Sequence, residues 1–408
     1  MSRRPSLYTR EALGRWTAEV ADAFPNLTQP QVAGLVSWSF GMVLARCCAL
    51  TTVALFLGKL LAQKLNTVRQ RLREFYQEAD AKKGNDRQQV EVTTCFAPLL
   101  RWVLRDWPTR DVPVALDASA LGSLFVVLCV SVVYRGSAIP VAWKVLPANV
   151  KGAWRRPWLD LLRTFRGCLG GGWKVAVLAD RGLYARWLFN AIRKLGWHPM
   201  LRINLGGKFR PAYGRNFVPL ASLVPHVGSS WRGRGTAFVT KGKQLRCTLL
   251  AYWGEGHAEP WLLLTDLVPE ASDAGWYGLR GWIEQFFKDC KRGGWQWQRT
   301  RMTGPARAER LWLAVAAATL WLVRVGGAED AAEQAALPEL AALVDVPERP
   351  RVRRWRLVSV FARGWVEIVV ALINHWRLPL GRMVPQPWPT IPDLPPPLGP
   401  QTRRQRAA

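Results

Sequence analysis

Residues 276 to 291 read Trp-Tyr-Gly-Leu-Arg-Gly-Trp-Ile-Glu-Gln-Phe-Phe-Lys-Asp-Cys-Lys, and their spacing is the first sign of chemistry. Tyr277, Arg280, Glu284, Lys288 and Lys291 follow one another in steps of three or four residues, so an α-helix would project all five from one face. Trp276, Leu279, Ile283, Phe286 and Phe287 fall on a separate apolar stripe. The expected element is a helix buried on one side and presenting, on another, a single carboxylate among cations and a phenol. An ordinary amphipathic helix with Glu–Lys support would show the same pattern. Two further carboxylates raise the stakes: Asp117 closes the short apolar run at 112–119, and Asp180 follows the apolar run Lys174 to Ala179. Hard divalent cations such as Mg²⁺, with Mn²⁺ as a substitute, take oxygen ligands, and two carboxylates can share one ion while a third holds its neighbour. Such a pair of ions activates a water or a 3′-hydroxyl and stabilises the departing oxygen in an in-line displacement at phosphorus. Taken singly, Asp117 fits a strand cap, Asp180 fits a partner for Arg181, and Asp266 is a rival site carboxylate.

The pattern Y-x2-R-x3-E-x6-K formed by Tyr277, Arg280, Glu284 and Lys291, together with Asp117-Ala-Ser119 and Ala179-Asp180-Arg181-Gly182, resembles the DDE transposases of bacterial insertion sequences, in the group with the Tyr-Arg-Glu-Lys signature. The resemblance covers roughly residues 112 to 325. It implies that Asp117, Asp180 and Glu284 are catalytic and bind the metal. It further implies that Tyr277, Arg280, Lys288 and Lys291 hold the backbone of double-stranded DNA at the transposon ends. Relatives in this group cut by way of a DNA hairpin, with a flipped base held against aromatic rings. Trp231, Trp253 and Trp261 are the candidate rings; Trp253 is slightly favoured for stacking, the alternative being that two of them are core of a small β domain. The implied activity is cut-and-paste cleavage and strand transfer at terminal inverted repeats, by at least a homodimer. A non-catalytic DNA-binding descendant and a metal-dependent nuclease of the same fold are the alternatives.

The elements that must position these residues are legible from periodicity. Helices are expected at 8–22, 30–45, 66–76 and 96–107, strands at 112–119, 124–134 and 137–146, a helix at 154–169, a strand at 174–179, a helix at 183–195 and a strand at 198–203. Three strands, a helix, a strand, a helix and a strand are the order of a ribonuclease-H-like mixed α/β sheet. In that order the first and fourth strands are neighbours, which would bring Asp117 beside Asp180. Residues 206–270, with their glycines and short strands at 236–240, 244–253 and 260–266, suggest a β-rich insertion, as the resemblance also implies. A turn near residues 63–65 followed by a helix carrying Arg69, Arg71 and Arg73 reads as a helix-turn-helix, with 66–76 as the DNA-reading helix.

The expected organisation is a helical DNA-binding region at 1–95, a core at 96–205, the insertion at 206–270, the second part of the core at 271–330, a helical region at 331–380 and a disordered Pro-rich basic tail at 381–408. Gly326-Gly327 is expected to stop the apolar helix that begins near Ala308, and the basic amphipathic stretch at 349–376 is expected to serve as part of a dimer interface. The 408 residues carry 57 Lys and Arg against 29 Asp and Glu, a formal net charge of +28, which points to a polyanionic partner. Seven cysteines without zinc-knuckle spacing read as reduced thiols of a cytosolic, nucleoid-associated bacterial protein. Each apolar run is interrupted before the ~18 to 20 residues that cross a bilayer, so no membrane association is expected.

Overall fold

The structure, a computed structural model, describes residues 5–82, 87–150, 152, 154–343 and 358–391. Five helices come first: α1 (Leu7–Ala23), α2 (Gln29–Ala45), α3 (Leu50–Leu60), α4 (Leu65–Tyr76) and α5 (Phe96–Leu104). Their starts are written locally. The Ser6 hydroxyl accepts from the Thr9 N–H, and the Gln31 side chain accepts from the Thr28 N–H just ahead of Pro30. The alternation of helix and strand then follows the expected order: β1 (Asp111–Leu121), β2 (Phe125–Tyr134), β3 (Ser137–Pro147), α6 (Arg155–Arg163), β4 (Lys174–Ala179), α7 (Arg186–Arg193) and β5 (His198–Arg202). Next come β6 (Lys208–Pro211), β7 (Val218–Pro219), β8 (Ser230–Ala237), β9 (Leu245–Tyr252) and β10 (Trp261–Thr265), and finally α8 (Trp282–Lys288), α9 (Pro305–Leu343) and α10 (Val360–Ile373).

All ten strands form one sheet in the order β3-β2-β1-β4-β5-β10-β9-β8-β6-β7. The β2–β3 hairpin turns on Arg135 and Gly136, both at positive φ (45° and 82°), the geometry that matches the twist of a two-residue hairpin. The Arg135 side chain is anchored at this turn, its guanidinium 2.6 Å from the buried Asp330 carboxylate. β1 and β4 run parallel, as do β4 and β5, whereas β10 pairs antiparallel with β5. The central order 3-2-1-4-5 is that of a ribonuclease-H-like sheet. The insertion is β-rich as expected, yet within the sheet it is an extension of the same ladder.

Contacts divide the chain into two units. The first draws on the described residues within 1–109, 118–152 and 282–386, the second on those within 110–117, 153–281 and 387–408. In the first, α9 is the central helix, packed against α2, α10 and β3. Its Pro305–Ala336 stretch is long and apolar enough to cross a membrane, contrary to the expectation that every apolar run is too short, but 94% of its most apolar window is buried inside the protein. Nor do Gly326 and Gly327 end it. A Cβ on Gly326 would lie 1.9 Å from the Val360 carbonyl oxygen, and one on Gly364 would lie 1.9 Å from that of Leu322. These glycines are therefore the point where α9 and α10 cross backbone to backbone, a tertiary role that outweighs their weak helix propensity.

The Pro-rich tail also departs from expectation, since 381–391 is ordered. The Val384 N–H donates to the Tyr134 hydroxyl in the first unit. In the second, Trp388 packs edge-on against Trp276, with the Lys174 ammonium over both rings, and the Ile391 N–H donates to Asp273. Residues 392–408, the rest of the expected tail, lie outside the described residues, as does the 344–357 part of the expected carboxy-terminal helical region.

Candidate active site

Leu116 on β1 is in register with Ala179 on β4, so Asp117 and Asp180 occupy equivalent places on adjacent parallel strand paths. Both turn a carboxylate oxygen to the same cation. Arg280 Nη2 donates to Asp117 Oδ2 at 2.9 Å and to Asp180 Oδ2 at 3.4 Å. The other Asp180 oxygen, Oδ1, accepts from the Gly182 N–H at 2.8 Å, which accounts for the glycine in Ala-Asp-Arg-Gly: a side chain there would crowd that oxygen at 3.2 Å. Asp180 is thus held at both oxygens, one by the backbone of its own turn and one by a charge from far along the chain.

Tyr277, three residues before Arg280, is buried. Its ring meets Trp261 edge-on at 5.3 Å, and the Arg202 guanidinium lies 5.9 Å from its centroid. Burial pushes the phenol's pKa up, against the lowering pull of Arg280 and Arg202. Arg202 is a site residue that the sequence reading missed; its only signal is its place as the last residue of a strand neighbouring the one that ends before Asp180.

The expected single helix over 276–291 is in fact three consecutive geometries: a 3-10 segment Ala274–Gly281, the α-helix α8, and a π-helical turn Asp289–Gly293. Gly278 and Gly281 weaken the α-conformation locally, and Trp276 is anchored by Trp388 and Lys174 rather than by its own helix. Over α8 the two faces are distinct: Glu284 and Lys288 are exposed while Ile283, Phe286 and Phe287 are buried, with α8 packed on β3. Glu284, Lys288 and Lys291 belong to the first unit, and Asp117, Asp180, Tyr277 and Arg280 to the second. Lys291, in the π turn, donates to the Ser119 hydroxyl at 2.8 Å, so the Ser of Asp-x-Ser has a partner in the signature. Among the described residues no group of three His, Cys, Asp or Glu side chains is assembled for a metal ion.

Asp266 lies away from the acidic pair, bound by Arg193 at 3.3 Å and His198 at 3.1 Å. Trp253 donates its Nε1–H to the His257 carbonyl at 3.0 Å; Trp231 packs edge-on against Phe209; and Trp261, not Trp253, is the ring on Tyr277. Arg69, Arg71 and Arg73 are exposed on α4, whose Val68, Leu72 and Phe75 are buried.

Asp289, just past α8, is the most perturbed carboxyl in this segment. It is 4% exposed, Gln285 donates to its Oδ1 at 2.9 Å, and its Oδ2 has no hydrogen-bond partner among the described residues. Burial raises its pKa from 3.8 to about 7. A carboxyl whose folded pKa is raised stabilises the fold fully below its unfolded pKa, and that contribution is lost as pH rises from 3.8 towards about 7. Asp289→Asn is expected to flatten the stability profile across that window and to be more stable than the parent at pH 8, by on the order of 3 kcal/mol. Urea unfolding at pH 5 and pH 8 checks this, and an unchanged slope would contradict it.

Residues 130–321 match the model of the family described as the transposase DDE domain. The matched span contains Asp180 and Glu284 and begins after Asp117. It supports a DDE transposase. Among solved structures, the chain is similar to the piggyBac transposase in a synaptic complex with hairpin DNA, at 11% identity over 86% of this chain and 83% of that one, with a TM-score of 0.38. No curated protein matches the chain at a significant level.

Proposed function

We propose that the chain is a metal-dependent DNA transposase that cleaves and joins DNA at the terminal inverted repeats of its own insertion sequence. The observation that carries this reading is the convergence of Asp117 and Asp180, from adjacent parallel strands, on one guanidinium nitrogen. Two hard oxygen donors aimed at a single positive point are the donor chemistry that Mg²⁺ or Mn²⁺ requires. Asp117 and Asp180 would hold the ion, with Glu284 as the third carboxylate on the strength of its place in the signature. The bound ions supply an activated oxygen nucleophile and charge stabilisation for the displaced one.

The chain's own groups do the positioning. Arg280 holds the carboxylate pair together and offers a planar fork to a phosphate, while Lys288 and Lys291 add point charges for the DNA backbone. Tyr277, its ring clamped by Trp261 and Arg202, gives a phenol to the same backbone. Arg69, Arg71 and Arg73 supply exposed positive charge on the DNA-reading helix. Cut-and-paste transfer through a hairpin, base stacking on Trp253, a homodimer on DNA and a place in the bacterial cytoplasm with the nucleoid complete the reading, and rest on the signature and the net charge.

A pre-cut terminal repeat with a free 3′-hydroxyl, incubated with a supercoiled target plasmid and Mg²⁺ or Mn²⁺, is expected to give a covalent joint product. Joint molecules separate a transposase from a nuclease. Nicked plasmid without joining would favour the nuclease, and neither product with tight end binding would favour the non-catalytic descendant.

A further inference from the structure

A second basic site lies elsewhere in the second unit. Arg210 on β6 is in register with Thr236 on β8, and Thr236 with Arg246 on β9, so these three form one row across three strands. Arg234 and its partner Thr248 form the next row on the same face, because side chains two residues apart on a strand point the same way. Arg215 and Arg193 complete the lining of a groove of about 800 Å³. Arg193, Arg215, Arg234 and Arg246 are exposed, and the Arg210 guanidinium is braced over the Phe217 ring at 5.1 Å. The one carboxylate in the groove, Asp266, is already engaged by Arg193 and His198. Four guanidinium groups besides Arg193 therefore line a groove whose single carboxylate Arg193 already compensates.

The groove and the acidic pair sit at opposite ends of β5. His198 begins that strand beside Asp266, and Arg202 ends it beside Tyr277. A phosphate gripped by Arg234 and Arg246 is thus not the one presented to Asp117 and Asp180. Guanidinium forks on strands about 4.8 Å apart suit a row of backbone phosphates, which each fork can grip in a bidentate manner.

We propose that this groove binds the phosphate backbone of a stretch of duplex DNA distinct from the one held at the acidic pair, an inference that rests on the transposase reading for the identity of the polyanion. The contact is sequence-independent and adds to affinity through counterion release.

The test is a salt titration of full-length protein on two labelled duplexes, one bearing the terminal repeat and one unrelated, with metal-dependent nicking of the repeat followed in parallel. Arg234→Ala/Arg246→Ala is expected to bind both duplexes more weakly, and to reduce the slope of log K against log salt by about 2, one for each phosphate contact. Arg234→Lys/Arg246→Lys is expected to restore most of the slope, which loss of fold would not allow. An unchanged slope in the alanine variant overturns the proposal. Wild-type protein that binds and nicks, with no slope change in the variant, sinks the groove and leaves the transposase reading standing. A slope change in a protein that never nicks supports the groove and counts against catalysis, and a wild type that binds neither duplex overturns both.

Discussion

Gly364→Ala is expected to destabilise the first unit by roughly 3 kcal/mol or more, and the double variant with Gly326→Ala is expected not to fold. The reason is geometric. At each position the new methyl would meet a backbone carbonyl oxygen of the facing helix at 1.9 Å, and a backbone cannot step aside as a side-chain tip can. α9 and α10 would have to separate, opening the packing of Trp295 on Phe361 as well. Gly14 on α1 is the control: a Cβ there meets nothing within 4 Å, so Gly14→Ala is expected to be neutral or stabilising by about 0.5–1 kcal/mol. Urea unfolding of the three variants checks the contrast, and a Gly364→Ala protein as stable as the parent would show that the two helices do not cross at this glycine contact.

Asp117→Asn is expected to lower metal-dependent cleavage at least a thousandfold while leaving the fold in place. Stability changes little because the side chain is only partly buried and Arg280 keeps Asp180 as a partner, so the lost pair is worth on the order of 1 kcal/mol. Cleavage falls far because an amide oxygen carries no charge with which to hold the ion, and about 4 kcal/mol of lost transition-state stabilisation is a thousandfold in rate. Arg280 sharpens the expectation. In the protein alone its guanidinium neutralises the pair, so the carboxylates stay close without repelling each other. Single-turnover nicking and thermal melting of the same preparation measure the two effects separately.

Why some of this was legible in the sequence and some not follows from what each signal encodes. β1 to β5 announced themselves because buried strands are continuous apolar runs bounded by turn residues, and Asp117 and Asp180 stood out as the charges that ended two of them. β8, Ser-Trp-Arg-Gly-Arg-Gly-Thr-Ala, has no such run; it is a strand because β9 pairs with it along its whole length. The arginine groove was hidden for the same reason, since Arg210, Arg234 and Arg246 share a face only once the register of β6, β8 and β9 is known. Gly326-Gly327 reads locally as a stop, and only the close approach of α10 reveals its use. Proline content suggested disorder beyond Gly381, but Trp388 and the backbone caught by Asp273 hold the stretch to Ile391. Helical spacing singled out Tyr277, Arg280, Glu284 and Lys291 as candidates, although it could not foresee that Tyr277 and Arg280 lie on a 3-10 segment and Lys291 on a π turn.

The most direct test of the central claim is cleavage of a labelled duplex bearing the element's terminal repeat, in Mg²⁺ and in EDTA, by the parent protein and by Glu284→Gln. The parent is expected to nick the repeat in a way that EDTA abolishes, and the variant to bind the repeat as tightly without nicking it. Nicking by Glu284→Gln at the parent's rate, or tight binding by both proteins with no cleavage under either Mg²⁺ or Mn²⁺, would contradict that claim.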